Sequence, residues 1–286
     1  MFSKSLSNTV ASVTLPTFLY TFCLPLLGGD WPLYRGPDGN GVSPESIRIN
    51  WAETAPVEVW KIPFSAGFSS FSVSGSRAFT LDRQTIDSVD TEVCVALDLA
   101  TGAELWAAPI GAAGYKQEGG SNSGSKGGGS DGPRSTPVTD GTRVYALSAQ
   151  MVLSCLAASD GSEIWIRDFV AEDGARVIDW ESAASPLIEG NLIIVDRNAP
   201  SKGVVALDKT DGSIVWEGPT DGTTHATPVP ATIHGVRQII FFANTGLVSV
   251  AADDGRVLWR YTYSGSNWAK CASAVVADDI VVCSLA

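Results

Sequence analysis

The side chains equipped for binding or reaction recur at one phase of a repeating pattern of short β-runs. Asp82, Arg83, Arg134, Asp196, Arg197, His225 and Asn244 stand where such a run begins or returns, and Trp180 and Asn267 lie just upstream of two starts. Guanidinium, imidazole, amide and indole groups gathered at one mouth suit ion pairing, hydrogen bonding and stacking against a ligand or a protein surface. The same residues also read as ordinary strand-end polar groups satisfied by neighbouring turns. His225 is one of two histidines; His234 falls near a hairpin turn and reads as solvent-facing. No GxSxG, HExxH or paired metal-ligand spacing occurs, so no catalytic or metal residue is assigned. Asp38, Asn40 and Glu45 have the outline of a calcium loop, but turn chemistry accounts for them better. Ser123 to Lys126 matches SxxK without the rigid helix start that chemistry needs, and Gly127 to Ser130 lacks the Gly-Lys-Ser/Thr of a phosphate loop. Asp253-Asp254 and Asp278-Asp279 read as turn dyads.

The elements that must position these groups repeat. Ala96 to Trp106 (ALDLATGAELW), Cys155 to Trp165, Ala206 to Trp216 and Val250 to Trp259 share a skeleton in which Gly stands four residues before Trp: Gly102/Trp106, Gly161/Trp165, Gly212/Trp216 and Gly255/Trp259. A β-run ends, the chain reverses at the Gly, and a second β-run carries the Trp. The Gly supplies a positive φ, and Asp98 and Asp208 are placed to cap turn N–H groups. A large ring at a fixed place in each copy predicts one recurring pocket, the gap between neighbouring units. Val57 to Ile62, with Trp60, reads as one more Trp strand. A Ser/Thr-Pro-Val-like strand opens each unit (Phe71–Val73, Ser135–Thr139, Ser185–Ile188, Ala226–Val229, Ala272–Val276), giving four short antiparallel strands per unit. Trp-to-Trp separations are 46, 59, 51 and 43 residues (60 to 106, 106 to 165, 165 to 216, 216 to 259). That period and strand count predict an all-β propeller of four-stranded blades. The longest step holds an insertion, 111–133, rich in Gly and expected to be a surface loop.

Composition fits this architecture. Of 286 residues, 44% are apolar and 17% charged, enough for a large core. A net charge of −12 argues against nucleic acid, whose phosphates need a basic face. The five cysteines form no CxxC. Cys94 and Cys155 sit in apolar runs as small hydrophobes, while Cys271 and Cys283 flank a hairpin turn and read as free thiols or as a pair. Residues 1–29 read as an export signal or N-terminal leader: Lys4 precedes an apolar stretch that Pro16 and Pro25 make a poor transmembrane helix. The expected location is therefore the periplasm or cell envelope, with no transmembrane span.

The chain resembles the quinoprotein-like (PQQ-repeat) β-propellers. Their tryptophan-docking motif, Ala-x-Asp-x-x-Thr-Gly-x-x-x-Trp, is matched in full by residues 96 to 106, and by 206 to 216 except for Asp211 in place of Thr. The opening Trp31-Pro32, Tyr34-Arg35-Gly36-Pro37 and Gly41-Val42-Ser43 look like exported members, as does Gly132 to Pro137. The resemblance covers 30–286 and implies a ring of usually seven or eight blades. Here four Trp-motif units are complete and a fifth begins at Ala272, so the expectation is a partial propeller of about four to five blades, an open arc rather than a compact four-bladed ring. It further implies a non-catalytic exported scaffold binding a protein or small ligand, similar to members that assist outer-membrane protein assembly. The alternatives are a PQQ-dependent alcohol dehydrogenase with calcium, or a carbohydrate or small-ligand binder at the channel mouth. The adjacent Cys-Cys, catalytic Asp and calcium ligands of the dehydrogenases cannot be placed on any position, so no cofactor is assigned.

Overall fold

The computed structural model describes residues 29–115, 132–263 and 270–284. The leader, most of the Gly-rich insertion and Asn267 lie outside the described residues. Four four-stranded antiparallel sheets follow one another along the chain. Blade A comprises β1 (Ser72–Ser74), β2 (Arg77–Ile86), β3 (Val89–Asp98) and β4 (Glu104–Ala112). Blade B is β5 (Val138–Thr139), β6 (Arg143–Leu147), β7 (Val152–Ala157) and β8 (Glu163–Asp168). Blade C is β9 (Leu187–Glu189), β10 (Leu192–Asp196), β11 (Val204–Asp208) and β12 (Ile214–Glu217). Blade D is β13 (Val229–Ile233), β14 (Val236–Ala243), β15 (Gly246–Ala251) and β16 (Val257–Thr262). A hairpin of β17 (Val275–Ala277) and β18 (Ile280–Val282) begins a fifth unit, pairing internally and packing Val276 and Val281 against the blade D core cluster that Trp259 also joins. No ladder joins it to residues 57–62 among the described residues.

The Gly turn has one construction in all four blades. Gly102 donates to Asp98 O and Asp98 N–H to Ala103 O; the same two bonds recur at Gly161/Ala157, Gly212/Asp208 and Gly255/Ala251. The four glycines have φ of 71, 74, 72 and 70°, the left-handed region that glycine enters without a Cβ clash. Asp98 Oδ1 accepts from Ala100 N, Thr101 N and Thr101 Oγ1, and Asp208 Oδ1 from Thr210 N and Oγ1. Past the turn, each outermost strand carries a β-bulge that leaves one residue extra, Leu105, Ile164, Val215 or Leu258, and then sets the Trp opposite Ala96, Cys155, Ala206 or Ser249. The bulge twists the strand and aims the indole out of its own blade.

Each indole then lies on the Gly of the following blade. A Cβ on Gly102, Gly161, Gly212 or Gly255 would meet the ring of Trp60, Trp106, Trp165 or Trp216 at 2.6, 2.6, 2.8 and 2.3 Å. The indole N–H donates to the carbonyl three residues before that Gly: Leu99 (3.0 Å), Ala158 (3.2 Å), Lys209 (3.3 Å) and Ala252 (3.2 Å). Trp60 thus holds a wedge position although residues 57–62, expected as a strand, form no ladder. Trp259 differs from the other motif tryptophans: it is half-buried and donates at 2.8 Å to Gln238 of its own blade.

Toward the axis, the inner strands are joined by a second staircase. Ser70 N donates to Thr136 Oγ1 (3.1 Å), Thr136 N to Ser185 Oγ (2.8 Å) and Ser185 N to Thr227 Oγ1 (3.0 Å). The inner ladders start later than expected, after Pro137, Pro186 and Pro228, because proline has no N–H to donate. Residues 30–41 cross these inner edges. Trp31 exchanges both backbone hydrogen bonds with Val73, Pro32 O accepts from Thr139 N, Leu33 enters the core with Val138 and Leu187, and Gly39 lies against Pro230. One short helix, α1 (Phe169–Asp173), was not anticipated. It is set by reciprocal capping, in which Ala171 N donates to Asp168 Oδ1 and Asp168 N to Glu172 Oε1. Cys94 and Cys155 are buried, and Cys283 carries a free thiol, so it is not bonded to Cys271.

Trp216→Ala removes a ring that is 7% exposed and should cost about 3–5 kcal/mol in urea unfolding. Trp259→Ala, with no glycine of a following blade beneath the ring among the described residues, should cost less than half as much. Equal losses would contradict the inter-blade role. Gly255→Ala should be comparably damaging, since the new methyl meets the Trp216 ring and φ is positive.

Candidate functional site at the channel mouth

The segments that lead into the inner strands end at one mouth of the axis, and their backbones are tied together. Phe68 N donates to Pro133 O (2.8 Å) and His225 N to Lys270 O (3.1 Å). Five of the expected residues fall along this arc. Arg83 lies near Tyr115. Arg134 follows Pro133, Trp180 packs on His225 with ring centroids 6.4 Å apart, and Asn244 O accepts from Lys270 Nζ at 2.5 Å. Asn244 Nδ2 is spent on Thr223 O (3.1 Å) and Asp82 Oδ1 on Ser65 N and Ala66 N, so these two act within the loops.

Arg197 is placed elsewhere. Its side chain is 2% exposed; Nη1 meets Asp173 at 2.8 Å, Nη2 meets Glu217, and Nε donates to Lys202 O. All donors face the protein, so this guanidinium clamps α1 to blade C and is not offered to a ligand. Asp196 is likewise engaged, accepting from Thr223 Oγ1 (2.6 Å) and Asn198 N (3.1 Å), with burial raising its pKa.

Arg134 is the centre of the site. Its side chain is 9% exposed, and its guanidinium lies 5.8 Å from the Phe68 ring centroid and 5.4 Å from that of Tyr115, cation–π distances. Nη1 stands 3.2 Å from Glu181 Oε2, yet neither terminal nitrogen meets an acceptor in hydrogen-bonding geometry. Beside it the fully buried Glu92 accepts from Tyr115 OH (2.5 Å) and from Ala149 N (2.9 Å). Burial raises the Glu92 pKa, opposed by those two hydrogen bonds and by the charge of Arg134, while Glu181 adds to the rise. Two buried carboxylates therefore flank one guanidinium.

The carrier of Glu181 is strained. Trp180 and Glu181 have φ of 60 and 55°, consecutive left-handed residues that are not glycine, each costing about 1 kcal/mol or more. The turn presents Trp180 at 40% exposure, and Phe68, whose ring neighbours Arg134, is 57% exposed. Glu92, Tyr115, Glu181, Phe68 and Lys270 were not singled out from the sequence. Only Glu92 carries a signal there, as an acid opening the apolar run Val93 to Leu97. Among the described residues no group of three His, Cys, Asp or Glu is placed to hold a metal ion.

His225 gives the mouth a pH dependence. Burial lowers its pKa, the charge of Arg134 adds to the lowering, and the carbonyls of Asp179 and Glu181 oppose it; Nε2 lies 3.0 Å from Asp179 O. The folded value is below the unfolded one, so the unfolded chain takes up the proton first as pH falls through about 6.5. Stability from neutral His225 is full above that pH and lost below it. Acidification from about pH 7.5 to about pH 5.5 should lower the urea midpoint more for the native chain than for His225→Gln. Equal falls would show that the imidazole is not held neutral.

Comparison with known proteins fits this architecture. The fold is similar to quinohemoprotein alcohol dehydrogenase from Comamonas testosteroni, with a TM-score of 0.58 and 15% identity over 87% of this chain and 43% of that one. It is also similar to the quinohemoprotein alcohol dehydrogenase ADHIIG from Pseudomonas putida HK5, at 0.55 and 14% over 82% and 40%. At these identities the likeness is one of β-propeller fold alone. The outer membrane protein assembly factor BamB of Salmonella typhimurium is 30% identical over 97 residues, 32% of this chain and 24% of that protein. The chain thus spans less than half the length of each of these relatives. Residues 89–285 match the family described as outer membrane protein assembly factor BamB, and with its PQQ-type repeats the chain belongs to that family.

Proposed function

We propose that the chain is a non-catalytic, exported propeller scaffold that receives a partner polypeptide at the mouth around Arg134. The observation that carries this reading is the match of residues 89–285 to a family described by assembly of outer membrane proteins. The mouth supports it: exposed Phe68 lies 5.8 Å from a buried guanidinium and exposed Trp180 directly precedes Glu181, its ion-pair partner, so aromatic and Arg residue types enriched in binding hot spots gather here. A place in the periplasm or cell envelope goes with the reading, through the leader-like residues 1–29. Among the described residues no helix is long and apolar enough to cross a membrane.

Two measurements test the proposal. A photo-crosslinking residue at Trp180 should capture a discrete partner in the native host, whereas one at Ile164, exposed on the rim, should not. Equal capture from both positions would remove the mouth as the site. Addition of pyrroloquinoline quinone and Ca²⁺ should give neither a bound-quinone absorbance nor dye reduction with an alcohol. Both signals together would replace the scaffold with a quinoprotein dehydrogenase.

A further inference from the structure

Resting on the mouth as a protein-binding site, we infer that Arg134 is a carboxylate receptor currently occupied by an internal stand-in, Glu181, which an acidic side chain of the partner displaces. The first observation is the state of Arg134. A guanidinium whose side chain is 9% exposed normally has its fork of donors matched by acceptors. Here both terminal nitrogens lack one, although a carboxylate oxygen lies 3.2 Å away. The ion pair supplies charge without the bidentate geometry a planar guanidinium is built to make. The rings of Phe68 and Tyr115 at 5.8 and 5.4 Å fix where the guanidinium sits.

The second observation concerns the stand-in. The carboxylate 3.2 Å from Arg134 is carried on two consecutive left-handed residues, Trp180 and Glu181. Release of the carboxylate allows that turn to relax, and the residue that moves with it is the exposed Trp180, stacked near His225. Exchange of one carboxylate for another would thus reshape the aromatic surface of the mouth as the partner arrives. The internal contact is autoinhibitory in this sense: it keeps the buried cation neutralised until a better-aligned acid replaces it.

The ligand class follows from charge. Glu92 remains buried beside the guanidinium with its oxygens engaged by Tyr115 and Ala149. A monoanionic carboxylate replaces Glu181 with no net change of charge, whereas a dianionic phosphate adds a charge beside Glu92. A chain with net charge −12 gives an acidic ligand no long-range attraction. Recognition of an acid therefore requires a local, desolvated cation, which is what Arg134 provides.

The test uses a fluorescein-labelled hexaglutamate peptide, with hexaglutamine as control, in fluorescence anisotropy at about 0.15 M salt. Glu181→Gln, which removes the competing charge, should bind hexaglutamate about tenfold more tightly than the native chain. Arg134→Gln should bind at least about tenfold more weakly, and hexaglutamine should not bind to any of them. Melting curves accompany each titration. Because loss of Glu181 removes the carboxylate that stands 3.2 Å from the guanidinium and vacates its place, acetate should raise the melting temperature of Glu181→Gln and not that of Arg134→Gln. The inference is overturned if Glu181→Gln binds no better than the native chain, if Arg134→Gln binds as well, or if no variant binds the peptide. Capture from Trp180 together with any of these results would leave the mouth as the binding site and remove only the carboxylate exchange.

Discussion

The contact on which the structure depends is an indole laid flat on a glycine of the next blade. It specifies more than its own area. A side chain on the glycine would overlap the ring, so the turn must be glycine, and the turn's left-handed φ is then available at no steric cost. The indole N–H must meet an acceptor once buried, and the carbonyl three residues before the glycine is held there by the turn's own hydrogen bonds. The bulge that precedes the Trp and the small residue opposite it follow from aiming a large ring out of one sheet and into another. Spacing within the motif is therefore rigid. Spacing between motifs is free, which is how a 59-residue step and a 43-residue step coexist in one chain.

A different set of bonds holds the inner edge. The hydroxyls of Thr136, Ser185 and Thr227 each accept from the backbone of the preceding blade, so even the inner strands of two and three residues in blades B and C remain in register. Residues 30–41 complete this layer by crossing it, with Leu33 in the core between Val138 and Leu187. The segment lies along the inner strands themselves, away from the lead-in residues that form the mouth. Stability is thus distributed between rim and axis, and the lead-in loops at the mouth are left to carry polar and strained residues. That division explains why Trp180 and Glu181 can hold left-handed backbone there: the blades on either side are fixed by other contacts.

Legibility from sequence followed the same division. The Gly–Trp offset and the Asp98 and Asp208 caps were readable because each is a local interaction within about ten residues, and the Trp rings repeat. The inner strands start a few residues later than the pattern predicts because three prolines delay the ladder. The reciprocal caps Asp168 and Glu172 give no signal by themselves, since five helical residues show no period. The site was harder. Arg134, Trp180 and His225 were placed at one mouth by counting strands, and the structure brings them together. Arg197 satisfied the same count, but Asp173 and Glu217, 24 residues before and 20 after it, close on it from α1 and β12. Glu92 and Glu181 reach Arg134 from 42 residues before it and 47 after it, and nothing in local spacing marks such a meeting.

Those long-range meetings decide what the mouth can recognise. Counted as formal charges, the arc from Glu92 to Lys270 is unremarkable for an acidic protein. Counted with burial, it separates into two kinds of cation. Lys270 points its ammonium at the Asn244 carbonyl and lies 5.9 Å from the Phe242 ring centroid, so its donors are directed inward. Arg134 is equally buried but has no acceptor aligned with either terminal nitrogen. In a low-dielectric setting an ill-matched donor costs more than the same donor in water, and a well-matched acid gains more. The discrimination therefore rests on the geometry around one guanidinium rather than on the number of charges at the rim. A propeller whose blades are held together elsewhere can change that geometry without disturbing the fold.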